Sequence, residues 1–326
     1  MIERLMQKLM SGTIFTLAAV VIALSVHGDN DRAVAAAAND PVIAAAGDIA
    51  CDGTSGASQS AGDKDDYSVN GCQQARTAAE LRAKNYTAIL PLGDEQYPDG
   101  SPAQFASSYA KTWGASQAPV HPVPGNHEYH TTGAAGYFAF FQSAAGDPAK
   151  GYYSWDLPGW HFIAINANCS AVGGCNTGSP EDQWLKADLA SHHAACTLAY
   201  WHQPRFSSAH HHSDATYQPF WDDLYAAKAD VVLNGHDHDY ERFASQTPTG
   251  APDPTGGIRE FVVGTGGKSH YEFTAIEPNS EVRNNTTFGI IELTLHPHGY
   301  DWHFLPAPGT GTFTDRGSAS CHGRAS

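Results

Sequence analysis

Short apolar runs alternate with helical patterns through the first two thirds of the chain, and each run closes on a polar turn. Pro41–Ala46 reads as a strand of small residues ending in Gly47-Asp48. Gln73–Lys84 carries Ala and Leu on one face and predicts a helix. Ala88–Leu92 predicts a buried strand running into Gly93-Asp94-Glu95-Gln96-Tyr97. A short helix over Ala103–Lys111 follows. Then comes a strand over Val120–Val123, interrupted by Pro119, Pro122 and Pro124, which ends in Gly125-Asn126-His127-Glu128. Tyr137–Gln142 is an aromatic helical turn. Tyr152–Leu157 and His161–Asn166 predict paired strands about Pro158-Gly159. Ser179 caps a helix reaching His193, with Pro180 in its first turn. A strand over Thr197–Trp201 ends at His202, and a helix covers Thr216–Lys228. Val231–Leu233 ends in Asn234-Gly235-His236-Asp237-His238. The remainder is β-rich, with strands over Glu260–Val263, Thr287–Leu295 and Tyr300–Leu305 and loops over 246–257 and 306–320.

Strand–helix alternation implies parallel pairing, which gathers the strand ends on one edge. The expected architecture is α/β, a four-layer αββα sandwich of two mixed sheets flanked by helices. Five strand ends then offer Asp48, Asp94, Asn126, His202 and the pair His236/His238. Singly, each is an ordinary turn residue. Together they supply the oxygen and nitrogen donors that two metal ions need, a set without thiolate that suits iron, manganese or zinc. A carboxylate can bridge two ions, and residues two apart in His-x-His can address different ones.

Acidic residues outnumber basic ones 34 to 18, a formal charge of −16, which argues against nucleic acid as a partner. The N-terminus begins with Arg4 and Lys8, continues through apolar Thr13–Val26, and reaches a small-x-small site at Ala33-Val34-Ala35. Residues 1–36 are therefore expected to be a signal peptide, with a single folded domain over 37–326; an uncleaved anchor is the alternative reading. No second long apolar run follows, so no stable membrane insertion is expected after signal removal, and the mature protein should be secreted or extracytoplasmic. Six cysteines in an exported chain favour disulfides, here Cys51–Cys72, Cys169–Cys175 and Cys196–Cys321. Gly264-Thr265-Gly266-Gly267 lacks the Lys and helix of a P-loop and reads as a turn near the site. Tyr152, Tyr153, Trp155, Trp160 and Phe162 read as core. No Gly-x-Ser-x-Gly elbow supports a serine hydrolase.

Gly47-Asp48, Gly93-Asp94, Gly125-Asn126-His127-Glu128, His202 and Gly235-His236-Asp237-His238 resemble the motifs of the calcineurin-like metallophosphoesterases, in the same order. Asp94-x-x-Tyr97 and Tyr240-Glu241-Arg242 are similar to blocks of the purple acid phosphatase subgroup. The resemblance runs from about residue 42 to about 305. It departs at Ala199, where the subgroup commonly has Val, and at Asp237, which adds charge beside the site. Nothing before residue 42 reads as the N-terminal β-domain of plant members. The resemblance implies that Asp48, Tyr97 and His238 hold Fe(III), that Asn126, His202 and His236 hold a divalent Fe, Zn or Mn, and that Asp94 bridges them. It implies that His127 contacts the phosphate and protonates the leaving group, and that a further histidine among His210, His211 and His212 contacts substrate, with His212 favoured. The implied reaction is hydrolysis of a small phosphomonoester by a metal-bound hydroxide. A phosphodiesterase or nucleotidase on the same metals, or a metal-loaded binding protein without turnover, are the rivals. Sequence assigns no oligomeric state.

Overall fold

A computed structural model describes residues 40–52 and 72–323. The expected signal peptide and most of the loop over 52–71 lie outside the described residues. The elements in chain order are β1 (Val42–Ala46), α1 (Gln74–Ala83), β2 (Ala88–Pro91), α2 (Pro102–Ser107), α3 (Ala135–Phe141), β3 (Tyr153–Leu157), β4 (Trp160–Ala164), α4 (Cys169–Val172), α5 (Pro180–Ser191), β5 (Cys196–Tyr200), α6 (Gln218–Ala226), β6 (Val231–Asn234), β7 (Tyr240–Phe243), β8 (Arg259–Val263), β9 (Ser280–Asn284), β10 (Gly289–His296), β11 (Gly299–Pro306) and β12 (Arg316–Ser320).

These strands form two mixed sheets. One has the order β12-β11-β10-β1-β2 and the other β3-β4-β5-β6-β8-β7-β9. In the first, β1 and β2 are parallel and the rest antiparallel. In the second, β4, β5, β6 and β8 run parallel. Period-two alternation decides which core each side chain joins. Phe162, Leu198, Tyr200, Val231, Leu233, Phe261 and Val263 belong to the core shared with β1, β10 and β11. Their neighbours Ile163, Ala199, Val232 and Val262 face the other way, onto Leu185 and Leu189 of α5 and Phe220, Trp221 and Leu224 of α6. Both faces of the second sheet are thus apolar, which is why its central strands read as unbroken hydrophobic runs.

Helix α5 starts where the Ser179 side chain accepts the Asp182 amide, with Pro180 at the first turn. Helix α2 has a full capping box between Ser101 and Gln104. All three expected disulfides are present.

The structure corrects the sequence reading in four places. Val120–Val123 is not a strand: it makes one isolated bridge, Val120 to Ile89. His121 and Val123 donate to Ile89 and Pro91 at 2.9 and 3.1 Å, while Pro122 between them has no amide to extend a ladder outward. The segment is a proline-sealed edge that runs into the Gly125-Asn126-His127 turn, where the His127 amide donates to Asp94 Oδ1. The other three corrections are β7, β9 and β12, none of which was expected as a strand; β12 falls in a stretch expected to be loop. All three are short and largely polar, and β9 and β12 close the edges of their sheets, so no apolar run marks them.

Candidate metal centre

The carboxyl ends of β1 and β2 lie side by side, and their ladder continues past the strands: Asp48 N donates to Gly93 O at 3.1 Å and Ile49 N to Asp94 O at 2.9 Å. The ends of β5 and β6 face them from the second sheet, bringing His202, His236 and His238. Close approach of the two edges depends on Gly47 and Gly235. A Cβ on Gly235 would sit 2.7 Å from Asp48 Oδ2, and one on Gly47 would sit 3.2 Å from Gly235 Cα. Gly47 N also donates across to Val263 O at 2.9 Å.

Three of the converging residues hold backbone conformations that L-residues avoid. Asp48, Asp94 and His236 have φ of 59°, 49° and 71°. Each costs of order 1–3 kcal/mol and persists only where the surroundings impose it, a pattern typical of ligand sites.

Two clusters result. In the first, Tyr97 Oη donates to Asp48 Oδ1 at 2.9 Å and lies 3.1 Å from His238 Nε2, which is itself 3.2 Å from Asp48 Oδ1. In the second, His202 Nε2 lies 3.2 Å from Asp94 Oδ2 and 3.3 Å from His236 Nδ1. Asp94 Oδ2, 3.0 Å from Tyr97 Oη, joins them. Donor atoms of Asp94, His202 and His236 all lie within 4.8 Å of one another.

Whether the set fits metal can be judged from its own chemistry. His202 Nδ1 donates to Leu92 O at 2.8 Å and His238 Nδ1 meets Ser269 Oγ at 2.7 Å, which aims both Nε2 atoms inward. Asn126 Oδ1 is buried and has no hydrogen-bond partner among the described residues. An orphaned amide oxygen beside carboxylates and imidazoles suits a cation. Burial opposes charge throughout, yet the His202 and His127 imidazoles beside Asp94 hold its carboxyl well below the usual range. Burial lowers His202, but Asp94 and Asp48 outweigh it and raise that imidazole to about 9. The site therefore demands positive charge. Burial and the neighbouring imidazoles His202 and His211 push His236 down, so it stays a neutral donor. Burial, then Asp48 and Asp94, hold the Tyr97 phenol well above its ordinary value. Only a strongly polarising cation would make it a phenolate.

His127 stands at the rim. Its amide donates to Asp94 Oδ1 at 2.9 Å, its Nδ1 donates to Pro98 O at 2.6 Å, and its Nε2 lies 3.8 Å from Asp94 Oδ2. His211 and His212 are both exposed, and His212 Nδ1 meets Thr274 Oγ1 at 3.2 Å. His211 stacks on His236 at 4.1 Å instead. Sequence gave no way to choose between adjacent histidines. The choice is made by Asp237, whose Oδ1 accepts the His211 amide at 2.9 Å, and by the positive φ of 62° at His212, which turns the two side chains apart.

Glu128 and Tyr271 were not anticipated as part of the site. Glu128 is fully buried and accepts the amides of Asp94, Gln96 and Gly125 at 2.9, 3.1 and 2.8 Å. It ties the Asp94 turn to the Asn126 turn. Tyr271 stacks on His238 at 3.9 Å. The Gly264–Gly267 turn does lie beside the site, since a Cβ on Gly264 would come within 2.8 Å of Asp48 Oδ2. Gly125 presses directly on Asp94. A Cβ there would fall 2.0 Å from Asp94 Oδ1 and 2.3 Å from Asp94 N. Gly125→Ala is accordingly expected to displace Asp94 without removing any donor, lowering activity and metal content at least ~10-fold; metal analysis of the desalted variant checks this.

The calcineurin-like phosphoesterase family model matches residues 40–240, and the chain belongs to that family. Purple acid phosphatase 15 of Arabidopsis thaliana is 30% identical over 165 residues, covering 47% of this chain and 30% of the relative. Purple acid phosphatase 23 of the same plant is 30% identical over 201 residues, covering 55% and 42%. The chain thus spans less than half the length of these curated relatives. Among solved structures, purple acid phosphatase PPD1 from yellow lupin seeds superposes with a TM-score of 0.71 at 18% identity, over 86% of this chain and 54% of that one, which is a likeness of fold.

Proposed function

We propose that this chain is an exported dinuclear-metal phosphoesterase that hydrolyses small phosphomonoesters, an acid phosphatase of the purple kind. The observation that carries the reading is the pair of donor clusters joined through Asp94 Oδ2 and Tyr97 Oη. Asp48, Tyr97 and His238 would hold a trivalent iron, Asn126, His202 and His236 a divalent ion (Fe, Zn or Mn), and Asp94 both. When bound, such ions polarise phosphoryl oxygens and acidify water.

The chain's own groups supply positioning and proton transfer. Pro98 O accepts the hydrogen bond from His127 Nδ1, which leaves Nε2 for the cleft; in the imidazolium form Nε2 can hand a proton to the departing alkoxide. His211, stacked on His236 at the open side, would donate to a phosphoryl oxygen in the role first expected of His212. Glu128 clamps the two turns that carry Asp94 and Asn126 so that neither donor drifts.

Three disulfides fit an oxidising compartment, in keeping with the signal peptide expected over residues 1–36. Among the described residues no helix is long and apolar enough to cross a membrane. The formal charge of −16 speaks for a small ester bound by a local metal charge rather than for nucleic acid. Hydrolysis of an aryl phosphomonoester and the matching aryl diester by metal-replete enzyme tests the assignment. The monoester is expected to be preferred at least ~10-fold in kcat/KM. A preference for the diester would move the chain to the phosphodiesterases, and no turnover of either would move it to the metal-loaded binding proteins.

A further inference from the structure

The aspartate between His236 and His238 belongs to neither donor cluster described above, yet it is fully buried. Both of its carboxylate oxygens serve one neighbouring segment. Ser207 Oγ donates to Asp237 Oδ2 at 2.5 Å, and the His211 amide donates to Oδ1 at 2.9 Å. The Ser207 hydroxyl in turn accepts the Ala209 amide at 3.1 Å. One carboxylate thus gathers the main chain from 207 to 211 into a fixed turn.

Two further buried carboxylates hold the rest of this stretch. Glu241 on β7 accepts the Ser208 amide and hydroxyl at 2.8 and 2.5 Å, and Glu260 on β8 accepts the Arg205 and Phe206 amides at 3.2 and 3.4 Å. Burying a carboxylate costs free energy unless hydrogen bonds replace its water. Here those bonds come from a segment with no helix or strand of its own, so the three acids set much of its path. The segment leads to His211, whose ring is exposed but stacks on His236 at 4.1 Å and lies 5.4 Å from Tyr271. An exposed ring has little packing to hold it, so its place beside the centre depends on where its main chain is anchored. Asp237 provides that anchor from within the turn that carries His236 and His238.

We propose that Asp237 is a positioning residue for substrate binding. Its carboxylate fixes the 207–211 main chain against the His236–His238 turn, and this sets the His211 ring to donate to a phosphoryl oxygen. Asp237 acts only through His211. The inference rests on the phosphatase reading above, and it accounts for an aspartate at a position where this chain departs from the purple acid phosphatase blocks. Asparagine can make the same bonds: its oxygen accepts the His211 amide, and its NH2 faces the Ser207 hydroxyl, which can turn to accept it. Alanine and leucine can make neither.

The test is steady-state hydrolysis of an aryl phosphomonoester by the full, metal-replete chain, with inorganic phosphate as competitive inhibitor and metal content measured on each sample. Asp237→Ala is expected to raise KM and the phosphate inhibition constant at least ~10-fold, the loss of one hydrogen bond to a charged oxygen, with kcat and metal content little changed. Asp237→Leu, the same shape without acceptors, is run beside it in case the alanine variant does not fold; thermal unfolding checks both. Asp237→Asn should restore both constants. His211→Ala should match Asp237→Ala, and the double variant should be no worse than either. Additive losses in the double variant, or metal loss in the alanine and leucine variants, would overturn the proposal, the second by placing the effect on His236 and His238. Turnover with both constants unmoved in Asp237→Ala or His211→Ala would overturn this inference alone. No turnover by metal-replete wild type would remove the phosphatase reading and this inference with it.

Discussion

Asp94→Asn is expected to lower kcat/KM at least ~10^3-fold, about 4 kcal/mol of transition-state stabilisation, with the fold intact. The substitution is nearly isosteric. The one amide oxygen can still accept the His127 amide, which now lies 2.9 Å from Oδ1, and the NH2 then faces the Tyr97 hydroxyl, 3.0 Å from Oδ2, which can turn to accept it. What it cannot do is supply the negative charge that faces His202 at 3.2 Å from a position only 2% exposed. If Asp94 serves both ions, its loss weakens both at once, so metal content should fall together with activity. Metal analysis, activity and thermal unfolding on the same preparation check this. Retention of two ions with near-normal turnover would show that Asp94 is not shared. A loss of activity accompanied by a collapsed melting temperature would trace the effect to folding instead.

The second large effect concerns stability. The Cys196–Cys321 bond closes a loop with a sequence separation of 125, and by chain entropy it contributes about 5 kcal/mol. The Cys169–Cys175 bond, with a separation of 6, contributes about 2 kcal/mol by the same relation. The longer bond ties the edge strand β12 to the start of β5 inside the second sheet, an edge otherwise held by β11 and by single contacts such as His322 N to Asp230 Oδ1. Cys196→Ser with Cys321→Ser should therefore lower the urea midpoint substantially more than Cys169→Ser with Cys175→Ser. A reversal of that order in equilibrium unfolding would mean that the tail docks on its own.

Residues whose chemistry depends on where a strand stops were legible from the chain. Asp48, Asp94, His202, His236 and His238 each follow a hydrophobic run; parallel pairing sets Asp48 beside Asp94 in one sheet and His202 beside the His236 turn in the other, and it is the facing of the two sheets, not one shared edge, that joins the two pairs. Asn126 was expected at the end of a strand, and the segment before it is a proline-sealed edge instead. Glu128 could not be read as a clamp, since two of its three partners are backbone amides of a turn far off in sequence, and amides carry no sequence signal. His211 and His212 are chemically identical neighbours, and only the backbone turn at His212 separates them. Strands β7, β9 and β12 escaped notice because their residues are largely polar and their pairing is set by partners already in the sheet.

Tyr97 is where the account is most exposed. The phenol lies between Asp48, Asp94 and His238, and its hydroxyl is held in the protonated form by burial and by those two carboxylates. A trivalent iron bound there would convert it to a phenolate and colour the protein. The decisive measurement is the visible spectrum of purified, metal-replete protein, with metal content determined on the same sample, for wild type and Tyr97→Phe. The account predicts two ions per chain and a charge-transfer band that disappears in the variant while Asp48 and His238 remain. A colourless wild type, or a band that survives Tyr97→Phe, would contradict it.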